Sequence, residues 1–356
     1  MLFWERPLAH NSFIPDLSTK RDPASFPSST DSRLGRIVRL LSDHATIVVS
    51  GTRIAEELGT SRSEVWRAVQ QLRELGVQIT GHPATGYQLN AMPDLLLPEI
   101  LGPLVQPNLI GSRIHHYFTI GSTNTEAMNA GASGEPEGSV FLAEEQTSGR
   151  GRGDHSWESG PSVGIYCSVL LRPPLSPADA LPISLMAGLS VGDAVHQVTG
   201  LRPDLRWPND LLLRGKKFCG ILTEMNSEAT RVRYVVVGIG INVNHSSFTG
   251  ELAPIATSLR IEGGREWSRV DLAAALLKSL DNAYGKLMSN PAEARTEISR
   301  IFETQSSYAR GRQVRIEEEP GFEGVTEGLD ERGFLRVRTT NGVRTVLSGT
   351  VRVAGE

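Results

Sequence analysis

The sequence predicts an α+β chain made of three folded units. They are a winged helix-turn-helix over residues 31–92, a mixed-sheet unit over 93–308 and a small SH3-like β-barrel over 309–356. Three observations carry this. Between residues 34 and 90, short segments with apolar residues at helical spacing give way to two strand-like runs around a turn. In the middle, strand-like runs follow one another as hairpins more often than they alternate with helices, which points to α+β rather than a doubly wound sheet. At the end, five short strand candidates with tight turns crowd into residues 312–353.

Leu34, Ile37, Val38 and Leu41 set the first helix. Ser50 caps a second helix through Leu58, which Gly59 breaks. Ser61 caps a third, with Val65, Ala68, Val69 and Leu72 on one face and Gly76 after its end. VQIT and GYQL then form a two-stranded wing. The exposed face of the third helix offers Arg62, Ser63, Trp66, Arg67, Gln70, Gln71 and Arg73 to a major groove. Local charge does not decide for DNA, since residues 61–74 hold three Arg against two Glu. The order helix, helix-turn-helix, wing is the more specific signal.

MPDLLLPEIL leads as a linker into a short helix. IHHYF is a strand and STNTEAMNAGA a helix; SVFLAEEQT and SVGIYCSVLLRP are strands. LPISLMAGLSVGDAVHQVTG is an apolar helix, and LRWPNDLLL, KKFCGILTEM and RVRYVVVGIGINVN are strands with loops. DLAAALLKSLDNAYGKLM and PAEARTEISRIFETQ are helices. QVRIEE, FEGVTEGL, FLRVRTT, VRTVLS and TVRV are the strands of the final barrel.

Composition bounds the rest. The 356 residues are 39% hydrophobic and 21% charged, as in ordinary soluble domains. A net charge of −4 excludes a globally basic nucleic-acid binder but not a small DNA-binding module. Cys167 and Cys219 stand alone in apolar runs and read as reduced core residues. No apolar run is expected to approach the roughly 18–20 residues of a membrane span, and MLFWERPLAH lacks a secretory pattern, so a cytoplasmic protein with no membrane association is expected. Residues 1–30, rich in Pro and Ser, read as a disordered or loosely ordered extension.

Chemistry concentrates in a few motifs. GRGRGDHSW at 149–157 is not a dinucleotide loop, because a strand rather than a helix follows it and the glycine spacing is wrong. GIGIN at 238–242 ends a strand and fails likewise, and there is no P-loop. Arg-Gly-Asp at 152–154 is a chance adhesion tripeptide. What remains is a glycine-flexible loop carrying Arg150 and Arg152, either a solvated surface loop or a lid that closes over an anion. RWPND and KKFCGIL place Asn209, Asp210 and Lys217 beside apolar strands, where Lys217 can neutralise phosphate or developing negative charge. Ser122, Thr123 and Asn124 gather at a helix start, either as an ordinary N-cap or as a polar cradle for a ureido or amide group.

STN, EEQTSGRGRGDHSW, RWPND, KKFCGIL and VVVGIGINVN, in this order and spacing, resemble the biotin–protein ligase family over about residues 34–356. The winged helix resembles that of members that double as biotin operon repressors. The resemblance implies a central catalytic domain of the biotin/lipoate ligase type. It also implies two steps: biotin and Mg-ATP give biotinyl-5′-AMP, which is then attacked by a lysine of a biotin carboxyl carrier domain of acetyl-CoA carboxylase. By the resemblance, Ser122, Thr123, Asn124, Gln146, Arg150, Gly151, Arg152, Lys217 and Gly220 hold biotin. Arg150, Arg152, Trp157, Asn209, Lys217 and Asn242 hold ATP or the adenylate, with Trp157 on adenine and a loop at 245–258 closing over it. Lys217, Arg150, Arg152 and Asp210 carry the catalysis, and Asp210 is the candidate Mg²⁺ ligand. Operator DNA meets Arg62, Ser63, Trp66, Arg67 and Gln70, and the adenylate promotes a homodimer.

Two departures stand out. Arg206 replaces the lysine common before WPND, and Gly153, Asp154 and His155 replace a further Gly-Arg, with His155 in the place of that arginine. The rival readings are a non-enzymatic regulator that senses biotin and, less consistent with GRGR plus WPND, a lipoate or octanoate ligase.

Overall fold

The computed structural model describes residues 30–353 except 45, 83–84, 92–93, 154 and 318–320. The extension expected over residues 1–30 lies, but for Thr30, outside the described residues, as does Asp154.

The N-terminal unit comprises α1 (Thr30–Asp43), α2 (Gly51–Leu58), α3 (Arg62–Glu74), β1 (Ile79–His82) and β2 (Gly86–Leu89). The local signals act as their chemistry dictates. The Ser50 hydroxyl accepts from the Arg53 amide at 3.1 Å, and Gly59 ends α2 in the left-handed region at φ 62°. Ser61 and Glu64 form a capping box on α3. Leu34, Ile37, Val38, Ile54, Val65, Val69 and Leu72 are buried in the shared core. Gly86 is obligatory where the wing meets the turn before α2: its φ is 141°, and a Cβ there would lie 2.0 Å from the Val49 carbonyl oxygen.

The linker leads into α4 (Pro98–Val105). Leu95 and Leu97 of the linker and Phe118 of the following unit complete the winged-helix core, so the two units share buried surface.

The central unit runs β3 (Arg113–Ile120), α5 (Thr123–Ala132), β4 (Ser139–Gln146), β5 (Gly164–Leu171), α6 (Leu181–Thr199), β6 (Asp204–Arg206), β7 (Asp210–Leu213), β8 (Lys216–Ser227), β9 (Val232–Asn242), α7 (Leu259–Gly263), α8 (Arg269–Ser289) and α9 (Pro291–Gln305). Its sheet has the order β3-β4-β5-β9-β8-β7-β6. Among its ladders only β3–β4, joined by the crossover helix α5, is parallel; β4–β5, β6–β7, β7–β8 and β8–β9 pair consecutive strands antiparallel, and β5–β9 pairs antiparallel across the longer connection through α6. The apolar run of β5 is buried at every position, because α5 covers one face of the sheet and α6 with α8 the other.

The expectation that no stretch approaches membrane-spanning length needs correcting. Pro177–Thr199 has the length and apolar composition, diluted to the eye by interleaved Gly, Ala and Ser. It is mostly buried inside the protein, as a core helix packed on α8 and the sheet.

The C-terminal unit holds β10 (Arg310–Glu317), β11 (Phe322–Leu329), β12 (Leu335–Thr339), β13 (Gly342–Val346) and β14 (Thr350–Val353). They form one antiparallel sheet in the order β13-β12-β11-β10-β14. Among the described residues no ladder joins β13 to β14, so the expected barrel is not closed by hydrogen bonds. This sheet is anchored to the central unit where the Trp207 indole donates to the Gly333 carbonyl at 3.0 Å.

Candidate active site

A cavity of about 50 Å³ opens where α5, the 147–163 loop, β8 and β9 meet. Its floor is made by backbone. Gly220 of β8 pairs with Gly240 of β9, and Gly238 lies two residues upstream of Gly240 on the same strand face. Side chains cannot replace Gly238 or Gly240 without a clash, and Gly220 leaves little room for one. A Cβ on Gly240 would sit 2.5 Å from the Trp157 Nε1, and one on Gly238 would sit 2.0 Å from the Asn124 Oδ1. The Trp157 indole therefore lies directly on the glycine floor, with its Nε1 buried and unpartnered. The Lys217 ammonium stands 5.5 Å from the ring centre.

The polar wall comes from α5 and β4. Gln146 Oε1 accepts from the Thr123 amide at 2.8 Å and its hydroxyl at 3.1 Å, while Gln146 Nε2 donates to the Ser159 hydroxyl at 2.9 Å. The Ser168 hydroxyl lies 2.8 Å from Thr123 Oγ1 and donates to Asn124 Oδ1 at 2.6 Å. Asn124 Nδ2 donates to the Leu222 carbonyl and to Glu224. Ser122 bears on both readings of STN. It occupies the N-cap position, yet its side chain makes no capping bond, and its hydroxyl is buried without a partner among the described residues. A buried unpaired hydroxyl carries a desolvation cost that a hydrogen-bonding group would remove.

Cationic groups collect at the other end. Arg150 forms a two-pronged ion pair with Glu224 at 3.1 and 2.9 Å. Arg152 Nη1 donates to the Gly349 carbonyl at 3.1 Å and reaches Asn209 Oδ1 at 3.5 Å, so the loop touches the C-terminal unit. Lys217 Nζ is 2.6 Å from Asp210 Oδ1, and Arg206 Nη2 is 2.7 Å from Asp210 Oδ2. Burial opposes ionisation of Asp210, but the Lys217 and Arg206 charges outweigh it and hold the carboxyl below the usual range. Arg206 and Lys217 thus hold Asp210 from its two oxygens.

Most of the expected ligand residues line this one cavity: Ser122, Thr123, Asn124, Gln146, Arg150, Gly151, Arg152, Trp157, Asn209, Lys217 and Gly220. Asp210 and Asn242 do not. Asp210 contacts Lys217, and Asn242 Nδ2 donates to the Thr257 carbonyl at 3.1 Å, tethering the 245–258 loop. That loop is laid against the start of β8, where the Lys217 amide donates to the Ile255 carbonyl at 2.8 Å. Both oxygens of Asp210 are taken by cations, and no group of three or more His, Cys, Asp or Glu gathers among the described residues. The described residues thus hold no three-carboxylate cage for Mg²⁺, a metal that commonly takes one or two carboxylates together with substrate phosphates.

Sequence reasoning missed Ser159, Ser168 and Glu224. Ser168 is hidden in an apolar run and gave no signal. Glu224 was accessible, because it shares a strand face with Gly220 and Leu222 at a period of two. On the third helix of the N-terminal unit, Arg62, Ser63, Trp66 and Arg67 are exposed, while Gln70 is half-buried. Arg73 is not offered to a groove: its Nε donates to the Ile79 carbonyl at 3.0 Å and its Nη1 to Gln70 at 3.4 Å, bracing the wing.

Comparison with known proteins places the three units. Residues 117–242 match the biotin/lipoate A/B protein ligase family, residues 33–88 an HTH domain and residues 310–353 the biotin protein ligase C-terminal domain. The chain is 33% identical over 322 residues to the bifunctional ligase/repressor BirA of Bacillus spizizenii, covering 89% of this chain and 97% of the relative. Against the protein of the same name from Escherichia coli, identity is 28% over 304 residues, covering 85% and 92%. Among solved structures, the biotin protein ligase from Aquifex aeolicus in complex with biotin and ATP superposes with a TM-score of 0.59 at 29% identity, covering 68% of this chain and 98% of that one.

Proposed function

The chain belongs to the family of bifunctional biotin ligase/repressors, and we propose that its glycine-floored cavity is where biotin is activated with ATP. The protein is a biotin–protein ligase joined to a DNA-binding repressor domain. The observation that carries the site assignment is the buried, unpartnered Ser122 hydroxyl beside a flat apolar floor, with Lys217 at the far end.

Biotin supplies what the wall lacks. Its ureido group brings a carbonyl acceptor and N–H donors to Ser122, Thr123 and Asn124, and its bicyclic ring lies on Gly220, Gly238 and Gly240 once the Trp157 indole moves aside. The carboxylate then reaches the cationic end. There a carboxylate oxygen attacks the α-phosphorus of ATP, the bond to the β-phosphate bridging oxygen breaks, and pyrophosphate leaves. Lys217, aimed by Asp210, faces the charge that builds on the transferring phosphoryl group. Arg152 and the loop backbone cover the product anhydride and exclude water from it. In the second step the amine of a lysine on a carboxyl carrier domain attacks the acyl carbon, AMP leaves, and an amide remains. Mg²⁺ enters with ATP as part of the substrate, and Trp157, displaced from the floor, offers its face to adenine.

The adenylate also has a regulatory use. Ordering of the 149–157 and 245–258 loops favours a homodimer, which spaces two winged helices on a palindromic operator. One experiment tests the ligase assignment to this cavity. The chain is incubated with biotin, Mg-ATP and a carboxyl carrier domain, and the carrier is weighed; wild type adds one biotin and Ser122→Ala with Lys217→Ala does so far more slowly. Equal rates would place the chemistry elsewhere.

A further inference from the structure

We propose that Glu224 is a positioning residue for the ligase reaction: its carboxylate ties the lid and the cradle into one assembly, making Arg150 a strut rather than a ligand of the reacting groups. The inference rests on the cavity reading above and deepens it.

Glu224 lies on the strand face that carries Gly220 and Leu222, just beyond the floor. Donors from two other elements converge on it. Arg150 Nη2 donates to Oε1 at 2.9 Å and Nη1 to Oε2 at 3.1 Å, a parallel fork that fixes direction as well as distance. Asn124 Nδ2 donates to Oε2 at 3.0 Å. This contact also sets which way the Asn124 amide points. Turning it over would set Oδ1 against the Glu224 carboxylate and the Leu222 carbonyl, two acceptors.

Arg150 is the base of the lid. It bridges to Ser156, and the Gly151 amide donates to the His155 carbonyl at 2.7 Å, so these two pairs fix the base of the loop and its direction follows from where Arg150 is pinned. Both terminal nitrogens of Arg150 are committed to a carboxylate. Among the described residues, Arg152 instead donates to neutral oxygens, those of Asn209 and Gly349. An anionic ligand therefore displaces the Arg152 contacts readily and the Arg150 pair only against a competing charge. The two arginines of the motif divide the work: Arg150 holds the lid in place, and Arg152 closes on the ligand. The Arg150 and Glu224 side chains are 47% and 24% exposed, so a lone pair here would do little; the third contact to Asn124 is what gives it a function.

The test is a double-mutant cycle of Glu224→Gln and Arg150→Gln on the full chain. Single-turnover formation of biotinyl-5′-AMP is measured at saturating biotin and ATP, together with its release rate. Each single variant is expected to release the adenylate about tenfold faster while forming it within about threefold of wild type, and the double variant is no worse than either single. Formation slowed about a hundredfold by Arg150→Gln alone, with Glu224→Gln near wild type, would overturn the proposal by placing Arg150 on the reacting groups. So would unchanged release from Glu224→Gln. A readout without substrates accompanies it: trypsin cleavage after Arg152 in the empty protein, followed by mass, rises about tenfold in Glu224→Gln, since cleavage tracks the open population. Equal cleavage overturns the strut. If the wild-type chain forms no biotinyl-5′-AMP, the functional reading fails, and the trypsin comparison still decides the strut.

Discussion

Arg269 donates to Glu144 at 2.7 Å with both side chains almost fully buried, and this one pair joins the linker, the sheet and the end of the ligand loop. Glu144 Oε1 accepts from the Leu96 amide at 2.8 Å, and Oε2 accepts from the Ser162 hydroxyl at 3.3 Å. The His116 ring nitrogen sits 3.1 Å from Oε1. Arg269 also reaches Asp94 at 3.2 Å. Removing one partner of such a pair leaves the other charge buried and alone, so Arg269→Met should cost about 3–5 kcal/mol in urea unfolding. A loss under 1 kcal/mol would mean the site relaxes or hydrates.

The same carboxylate predicts acid sensitivity. Burial raises the Glu144 pKa, but the His116 hydrogen bond and the Arg269 charge outweigh it and bring it down to about 2, against 4.5 unfolded. A depressed folded pKa contributes stability that is complete above the unfolded value and is lost as pH falls toward the folded one. Urea midpoints should therefore drop between about pH 5 and pH 2, more steeply in wild type than in Glu144→Gln. Parallel curves would remove Glu144 from the account.

The Ser122 hydroxyl gives a prediction with opposite signs. Without ligand it is a buried polar atom with no partner among the described residues, so Ser122→Ala should leave stability unchanged or raise it by up to about 1 kcal/mol. Biotin binding should weaken by about tenfold, roughly 1.4 kcal/mol, because the ligand then loses its partner. Calorimetric titration with biotin and thermal unfolding of the same sample read both. A fall in stability with unchanged affinity would return Ser122 to a structural role.

These sites show what the sequence made legible. The winged helix was readable because its caps and breakers act within a few residues: Ser50, Gly59 and Ser61 take their roles from neighbours three or four positions away. Loop motifs pointed to one cavity because Arg150, Asn209 and Lys217 are residue types with few other uses beside apolar strands. Partnership across the sheet was not readable. Whether Arg150 meets a ligand or Glu224, 74 positions away, depends on the register of β8, which no local pattern states. Ser168 serves the cradle from inside a run that reads as pure core.

The glycine floor is tested by Gly238→Ala. Its φ is not in the left-handed region, so the backbone accepts alanine; the added methyl instead lands 2.0 Å from Asn124 Oδ1 and drives that amide off Ser168 and Glu224. Loss of those bonds at a ligand wall should raise the KM for biotin by about tenfold or more, with far-UV circular dichroism unchanged. An unaltered KM would show that Asn124 does not face biotin.

The recognition helix separates two kinds of contact. Arg62 and Arg67 are exposed cations, and Trp66 is an exposed indole, 56% accessible, between them on α3. An exposed tryptophan there has no folding task, since Val65, Val69 and Leu72 already fill the core below. Arginines that touch phosphate weaken binding to every duplex, so Arg67→Ala should lower the salt slope of log K by about 1 on random-sequence DNA. An indole against a thymine methyl reads sequence, so Trp66→Ala should leave that slope unchanged while reducing discrimination between a selected operator duplex and random DNA by about tenfold, within the 1–3 kcal/mol of one base contact. Fluorescence anisotropy across a salt series, on both duplexes, measures each quantity. A Trp66→Ala protein that loses affinity equally for both duplexes would make the indole a backbone or packing contact, and the sequence-reading role would pass to Ser63 and Gln70.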